Sequence, residues 1–290
     1  MPPWGQYLRK VAQRRIDNRI HLADAWCGLC GVRPPDSVPR FEPPEVELSR
    51  DLAEFCRFDG LRLALAVGAG EKDRVVPVGV WARFLTRLLS RCPEIGVLLI
   101  GSKGERELAL SIDEQLSPSL GSRVWNSVGR TDLLQLARVL ACSTWVIGAD
   151  TGPLHLATAM GARALGWYFS RARVHETGPY GNGHWVWQRE VVEDGRLAAG
   201  VIQDEQVREG AKARKPQTWP VEESVDLILT GACSSVPEGW SLWLSRMDEL
   251  GVSYQMPGRT RDPHPDRAHV WGQLSGPTDG TRSVLAGARP

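Results

Sequence analysis

The residues whose types and spacing could do chemistry are concentrated in 146–161, VIGADTGPLHLATAMG. A buried apolar strand runs into Gly148-Ala149-Asp150-Thr151-Gly152, and Pro153 suits the first helical position, where its missing N–H is no loss. Asp150 or Thr151 can cap the helix that follows, and the free amides near Gly152 point at whatever anion lies in front of them. His155, within the first turn, can add a donor to the same phosphate. The same residues also fit a purely structural reading, with Asp150 and Thr151 as caps and His155 as a packed core histidine.

The elements that must position this turn form a regular alternation. Apolar, β-rich runs occur at 61–67, 95–100, 123–128, 144–149 and 163–169, with helical patterns at 78–91, 105–117, 131–141 and 153–161 between them. Trp81, Leu85, Leu88 and Leu89 mark the buried face of the first helix, and Thr131-Asp132 opens the third. Strand–helix repeats of this length predict βαβ units and an α/β fold with a parallel sheet flanked by helices. Ligands of such sheets bind beyond the carboxyl ends of the strands. The loops at those ends, 68–76, 101–105, 129–131, 148–152 and 170–185, all carry glycine and together hold Lys72, Arg74, Lys103, Arg130, Arg171 and Arg173. A glycine-rich, largely basic edge predicts a phosphorylated ligand. There is no GxxxxGK[ST], and no GxGxxG opens the first turn, so neither a P-loop nor a dinucleotide dehydrogenase is supported.

The rest of the 290 residues reads more plainly. With 42% hydrophobic and 24% charged residues the chain can bury a core, and a net charge of +1 gives no field to hold nucleic acid. No apolar run is long enough for a membrane span, and MPPWGQYLRKVAQRR lacks the apolar stretch of a signal peptide, so a cytoplasmic location is expected. Residues 4–26 read as one Arg-rich amphipathic helix with Leu8, Ala12, Ile16 and Ile20 four apart. It would lie on an acidic membrane surface or, as favoured here, pack on a neighbouring domain. Residues 33–47 contain five prolines and read as a linker. Further helices are expected near 203–212, 221–231 and 239–250, with Trp240 and Trp243 packing the last, before a Pro/Gly-rich tail from 256 that reads as disordered. The Trp26-Cys27-Gly28-Leu29-Cys30 segment looks like a thioredoxin-type motif. It lacks the preceding strand, and no second Cys or His pair stands near for zinc, so both thiols read as packing residues.

Residues 61–185 resemble glycosyltransferase family nine, the ADP-heptose:lipopolysaccharide heptosyltransferases. That family carries a [DS]-[ST]-G-P-x-H-x-A turn after a strand, matched by Asp150-Thr151-Gly152-Pro153-Leu154-His155-Leu156-Ala157. A Gly-Ala loop with a basic residue before Pro77, then GSKGE, then Gly129-Arg130-Thr131-Asp132-Leu133 follow the same order upstream. The resemblance implies the Rossmann-like donor domain of a GT-B fold, which binds a nucleotide-diphosphate sugar such as ADP-heptose without a metal or other cofactor. It implies that Thr151 and Gly152, through their backbone, and His155 hold the diphosphate, that Asp150 orders the turn or contacts the sugar, and that Arg74 neutralises the leaving group. Glu105 matches the acidic residue that reaches the ribose, with a first-turn helix glutamate as its alternative.

The implied acceptor is a lipopolysaccharide or related lipid-linked glycan at the inner face of the inner membrane. The expected organisation is a helix remnant of the acceptor domain plus linker over 1–45, the donor domain over 46–232, and a helix and tail over 233–290. The family's general base would then lie in an acceptor domain largely missing here, and a remnant of this kind would expose the apolar face of helix 4–26. His175, Glu176 and His184 follow the fifth strand, with no spacing that marks a substitute base. A non-catalytic nucleotide-sugar-binding module, or half of a split enzyme, is the alternative.

Overall fold

The computed structural model describes residues 3–13, 20–38, 40–43, 45–170, 172–189, 191–193, 196–198, 216–248 and 250–257. In chain order these form α1 (Pro3–Gln13), α2 (Leu22–Leu29), α3 (Arg50–Arg57), β1 (Leu61–Ala66), α4 (Val78–Arg91), β2 (Ile95–Ile100), α5 (Arg106–Asp113), α6 (Pro118–Gly121), β3 (Val124–Asn126), α7 (Leu133–Cys142) and β4 (Trp145–Gly148). They continue with α8 (Gly152–Ala159), β5 (Arg163–Tyr168), α9 (Val174–Thr177), β6 (Trp185–Arg189), a small β7–β8 ribbon (Val191–Glu193, Arg196–Ala198), α10 (Val221–Thr230), β9 (Trp240–Asp248) and β10 (Gly251–Gln255). Among the described residues eight strands make one sheet in the order β10-β9-β6-β5-β4-β1-β2-β3. The six from β3 to β6 are parallel, while β9 and β10 are antiparallel.

The central strands are continuous apolar runs because both of their faces are covered. Leu63, Leu65, Val97 and Leu99 join the core beneath α4, α5 and α10, whereas Ala64, Ala66, Leu98 and Ile100 join the core beneath α3, α7 and α8. From α4 come Trp81, Phe84, Leu85, Leu88 and Leu89, all buried, with the Trp81 ring stacked on Trp167 at 4.5 Å. Helix α7 starts at a capping box: the Gln135 amide donates to Asp132 Oδ1 at 2.8 Å and the Asp132 amide donates to Gln135 Oε1 at 3.2 Å. Asp132→Ala is expected to lower the unfolding free energy by about 1 kcal/mol, the usual worth of an N-cap, in urea denaturation followed by circular dichroism.

Three expectations are corrected. The single helix over 4–26 is broken: His21 sits at φ −58°, ψ 142°, and its ring accepts the Ala23 amide as the cap of α2. Of its apolar face, Leu8 and Ile20 are covered by the chain itself, since Trp4, Ile20 and Ala25 are buried together with Tyr7, Leu8 and Leu250 packed against them, while the side chain of Ala12 lies outside those described. The helix expected over 239–250 is instead the β9–β10 hairpin, and β9 pairs with β6 so that Trp185 faces Leu244 and Arg189 faces Trp240. The sheet therefore continues past residue 232, as a mixed rather than purely parallel one. Both thiols of the Cys27/Cys30 pair are free at the C-terminal end of α2; burial raises the Cys27 thiol above its ordinary value, and Cys30 is exposed rather than packed. Ile16, the helix expected at 203–212 and the tail beyond 257 lie outside the described residues.

Candidate functional site

The strand order reverses at β1, which has β2 on one side and β4 on the other. Such a switch point leaves a crevice at the carboxyl ends of the two diverging strands. Gly148 permits their close approach there, since a Cβ on it would lie 3.0 Å from the Cβ of Ala66. The loop after β1 and the turn after β4 meet across this crevice: Arg74 Nη1 donates to Asp150 Oδ2 at 2.8 Å and lies 3.3 Å from its carbonyl oxygen.

Asp150 is buried, and three groups converge on its carboxylate. Besides Arg74, the Thr177 hydroxyl donates to Oδ2 at 3.2 Å, and His155 Nε2 lies 3.5 Å from Oδ1. Burial alone would raise this carboxyl, but the His155 hydrogen bond and charge, with Arg74 and Thr177, outweigh it and hold Asp150 below the usual carboxylate value. With its oxygens so engaged, Asp150 does not cap α8. Thr151 is the cap residue by backbone geometry (φ −151°, ψ 154°) and makes no side-chain cap bond. The first-turn amides of α8 therefore keep their anion-binding capacity without a side chain of the turn filling it. His155 is 39% exposed, which removes the packed-core alternative.

Beside the cluster opens a cleft of about 880 Å³ over the ends of β1 and β2, lined among others by Gly68, Lys72, Ser102, Glu105, Thr131 and Thr151. Of the expected site residues, Glu105 and Thr151 line this cleft, while Arg74, Asp150 and His155 form the adjoining cluster. Gly152 is exposed at the start of α8. Glu105 Oε2 accepts the Ser102 amide at 2.5 Å. Its carboxyl lies where a Cβ on Gly68 or Gly101 would go, so the two glycines clear its slot in the cleft wall. The first-turn and cleft-facing alternatives for Glu105 thus coexist in one geometry.

The other expected cations diverge. Lys72 and Lys103 are exposed, Arg130 is 3.8 Å from Asp51, Arg173 is buried, and Arg171 lies outside the described residues. His175 packs edge-on against Trp243 at 4.9 Å, Glu176 is buried, and His184 sits at the opposite end of the sheet accepting the Ala164 amide. Sequence reasoning missed Thr177 and the Ser170–Asp73 link. Ser170 Oγ donates to Asp73 Oδ2 at 2.6 Å from a left-handed backbone (φ 57°), joining the loops after β5 and β1. No spacing rule flags either residue. Among the described residues no group of three or more His, Cys, Asp or Glu could hold a metal, and no helix is long and apolar enough to cross a membrane.

Fold and site together define an α/β protein with a helix N-terminus at the switch point of its sheet, an arrangement suited to an anionic ligand. The family model for glycosyltransferase family 9 (heptosyltransferase) matches residues 13–191, and the chain belongs to that family. The lipopolysaccharide core heptosyltransferase OpsX of Haemophilus influenzae is 26% identical over 185 residues, covering 61% of this chain and 50% of its own. The chain thus spans about half the length of this curated relative. Among solved structures, E. coli ADP-heptose lps heptosyltransferase II matches with a TM-score of 0.44 and 21% identity over 57% of this chain and 51% of its own. The family 9 glycosyl transferase of Veillonella parvula matches with a TM-score of 0.47 and 14% identity over 66% and 58%.

Proposed function

We propose that this chain provides the donor-binding half, residues 46–232 with the edge hairpin, of a heptosyltransferase-type glycosyltransferase. It would move a sugar from a nucleotide-diphosphate donor such as ADP-heptose to a lipopolysaccharide or related glycan at the inner face of the membrane. The observation that carries this reading is the Arg74–Asp150–His155 constellation at the uncapped N-terminus of α8, opening on the 880 Å³ cleft. In the transfer, the bond from the anomeric carbon to the diphosphate breaks as the acceptor oxygen attacks, and negative charge grows on the leaving phosphate. Donors already fixed in place stabilise that charge most. The amides of the Thr151–Gly152 turn and the His155 ring would take the phosphate oxygens. Arg74, whose Nε is buried without a hydrogen-bond partner among the described residues, would supply the compensating charge, and Glu105 would take a ribose hydroxyl. No metal is required by this scheme.

The acceptor's proton needs a base within hydrogen-bond reach. Asp150 is held by three donors and Glu105 by the Ser102 amide, so we assign the base to a separate acceptor domain. The same observation favours a second reading, a nucleotide-sugar-binding module or one half of a split enzyme. Calorimetric titration with ADP, UDP, GDP and CMP tests the site. Saturable binding of one diphosphate, abolished in an Asp150→Ala, His155→Ala double variant, is expected, and a folded chain that binds none of them refutes the reading. Turnover of donor and acceptor, by the chain alone or with an added acceptor domain, separates enzyme from module.

A further inference from the structure

Three consecutive backbone carbonyls, from the last residue of α9 into the loop before β6, each receive a side-chain donor from a different part of the chain. Tyr168 Oη, at the end of β5, donates to the Thr177 oxygen at 2.6 Å, His21 Nε2 to the Gly178 oxygen at 3.1 Å, and Tyr254 Oη, in β10, to the Pro179 oxygen at 3.1 Å. Carbonyls outside regular structure need partners, but partners drawn from three distant segments fix where the loop lies as well. The His21 tautomer is set: Nδ1 accepts the Ala23 amide at 3.1 Å, so Nε2 carries the proton given to Gly178. Burial pushes the ring down to about 4, keeping it neutral near pH 7, and burial likewise holds Tyr168 and Tyr254 protonated as donors. Gly178 has no room for a side chain against Tyr254, so the segment cannot readily slide. The first residue of this clamped segment is Thr177, whose hydroxyl meets Asp150 at 3.2 Å.

We propose that His21 is a positioning residue for the donor turn: by holding the middle carbonyl of 177–179, the segment before α2 sets the Thr177 hydroxyl on the Asp150 carboxylate. The proposal deepens the donor-site reading and rests on it for its binding consequence, since Asp150 in turn orients His155 and Arg74.

His21→Asn separates the two jobs of the ring. Asparagine still caps α2, but its amide is too short to reach Gly178. Diphosphate affinity is expected to fall about three- to tenfold, the range of one ordinary hydrogen bond, in both His21→Asn and Thr177→Val. The double variant should be no weaker than either single one, because both break the same link. Trp4→Leu, which loosens the N-terminal cluster without touching the clamp, should leave affinity unchanged at a comparable loss of Tm. In the ligand-free protein, the His155 imidazole resonances should shift in Thr177→Val, and adding His21→Asn should move them no further. Additive losses, or an equal loss in Trp4→Leu, would show that His21 only supports the fold. If the parent binds no diphosphate, the donor-site reading fails, and the His155 resonances alone decide for or against the clamp.

Discussion

Replacing Gly152 by aspartate is expected to weaken nucleoside diphosphate binding about a hundredfold while leaving Tm within about 2 °C of the parent. The reason is that position 152 combines exposure with proximity to the charge. A Cβ there meets no atom within 4 Å, and the backbone is not in the left-handed region, so the side chain costs the fold little. Its carboxylate, however, would stand at the first residue of α8, where the amides and the helix dipole favour an anion. The substituted anion competes with the diphosphate for those amides and repels it, and like charges brought together at a binding surface cost several kcal/mol. Gly152→Ala, with the bulk and not the charge, should stay within about threefold of the parent. Parent-like affinity in Gly152→Asp, measured by calorimetry, would remove this turn from the site.

Stability is expected to fall steeply between pH 6.5 and 4 because of His21 and His184. Burial pushes both rings from 6.5 down to about 4. Between those values the unfolded chain binds protons that the folded chain refuses, so unfolding becomes more favourable as pH falls. Each ring accounts for roughly 2 kcal/mol of lost stability by pH 5 and about 3 kcal/mol by pH 4. Asp150 acts in a separate, lower window. Its carboxyl lies below the ordinary 3.8, so its stabilising share is intact above that value and lost as pH drops through the folded one. Urea denaturation at pH 7, 6, 5 and 4.5 should show the decline, and His184→Gln, which can still accept the Ala164 amide but never charges, should make it shallower. Parallel curves for parent and variant would mean that His184 does not contribute.

Much of the fold was legible because its signals are local. The expected helix over 78–91 coincides with α4, since its apolar spacing faces one core. The strands at 61–66 and 95–100 announce themselves through burial on both faces. The hairpin at 240–255 was misread for a related reason. Trp240, Trp243, Leu244 and Met247 fall at helical spacing, yet in β9 residues on both faces are buried, so strand alternation is hidden. Of the site, the Asp150–His155 turn follows from sequence because strand, glycine, proline and histidine are contiguous. The Arg74 pairing required the switch-point topology, and Thr177 could not be found at all, because its role depends on tertiary placement of a short loop.

The tie between Asp24 and the hairpin carries a consequence for the order of events in assembly. Asp24 accepts the Val252 amide across 228 positions of sequence and also takes the Tyr180 hydroxyl. Contacts this distant are reached late, because the chain between them must first be closed into a loop. Helices α1 and α2 therefore lack their full seat until the β9–β10 hairpin has formed, and until then their apolar faces stay open to other partners. A helix pair that precedes the sheet in sequence is thus placed after it, as a latch that shuts only on a finished sheet.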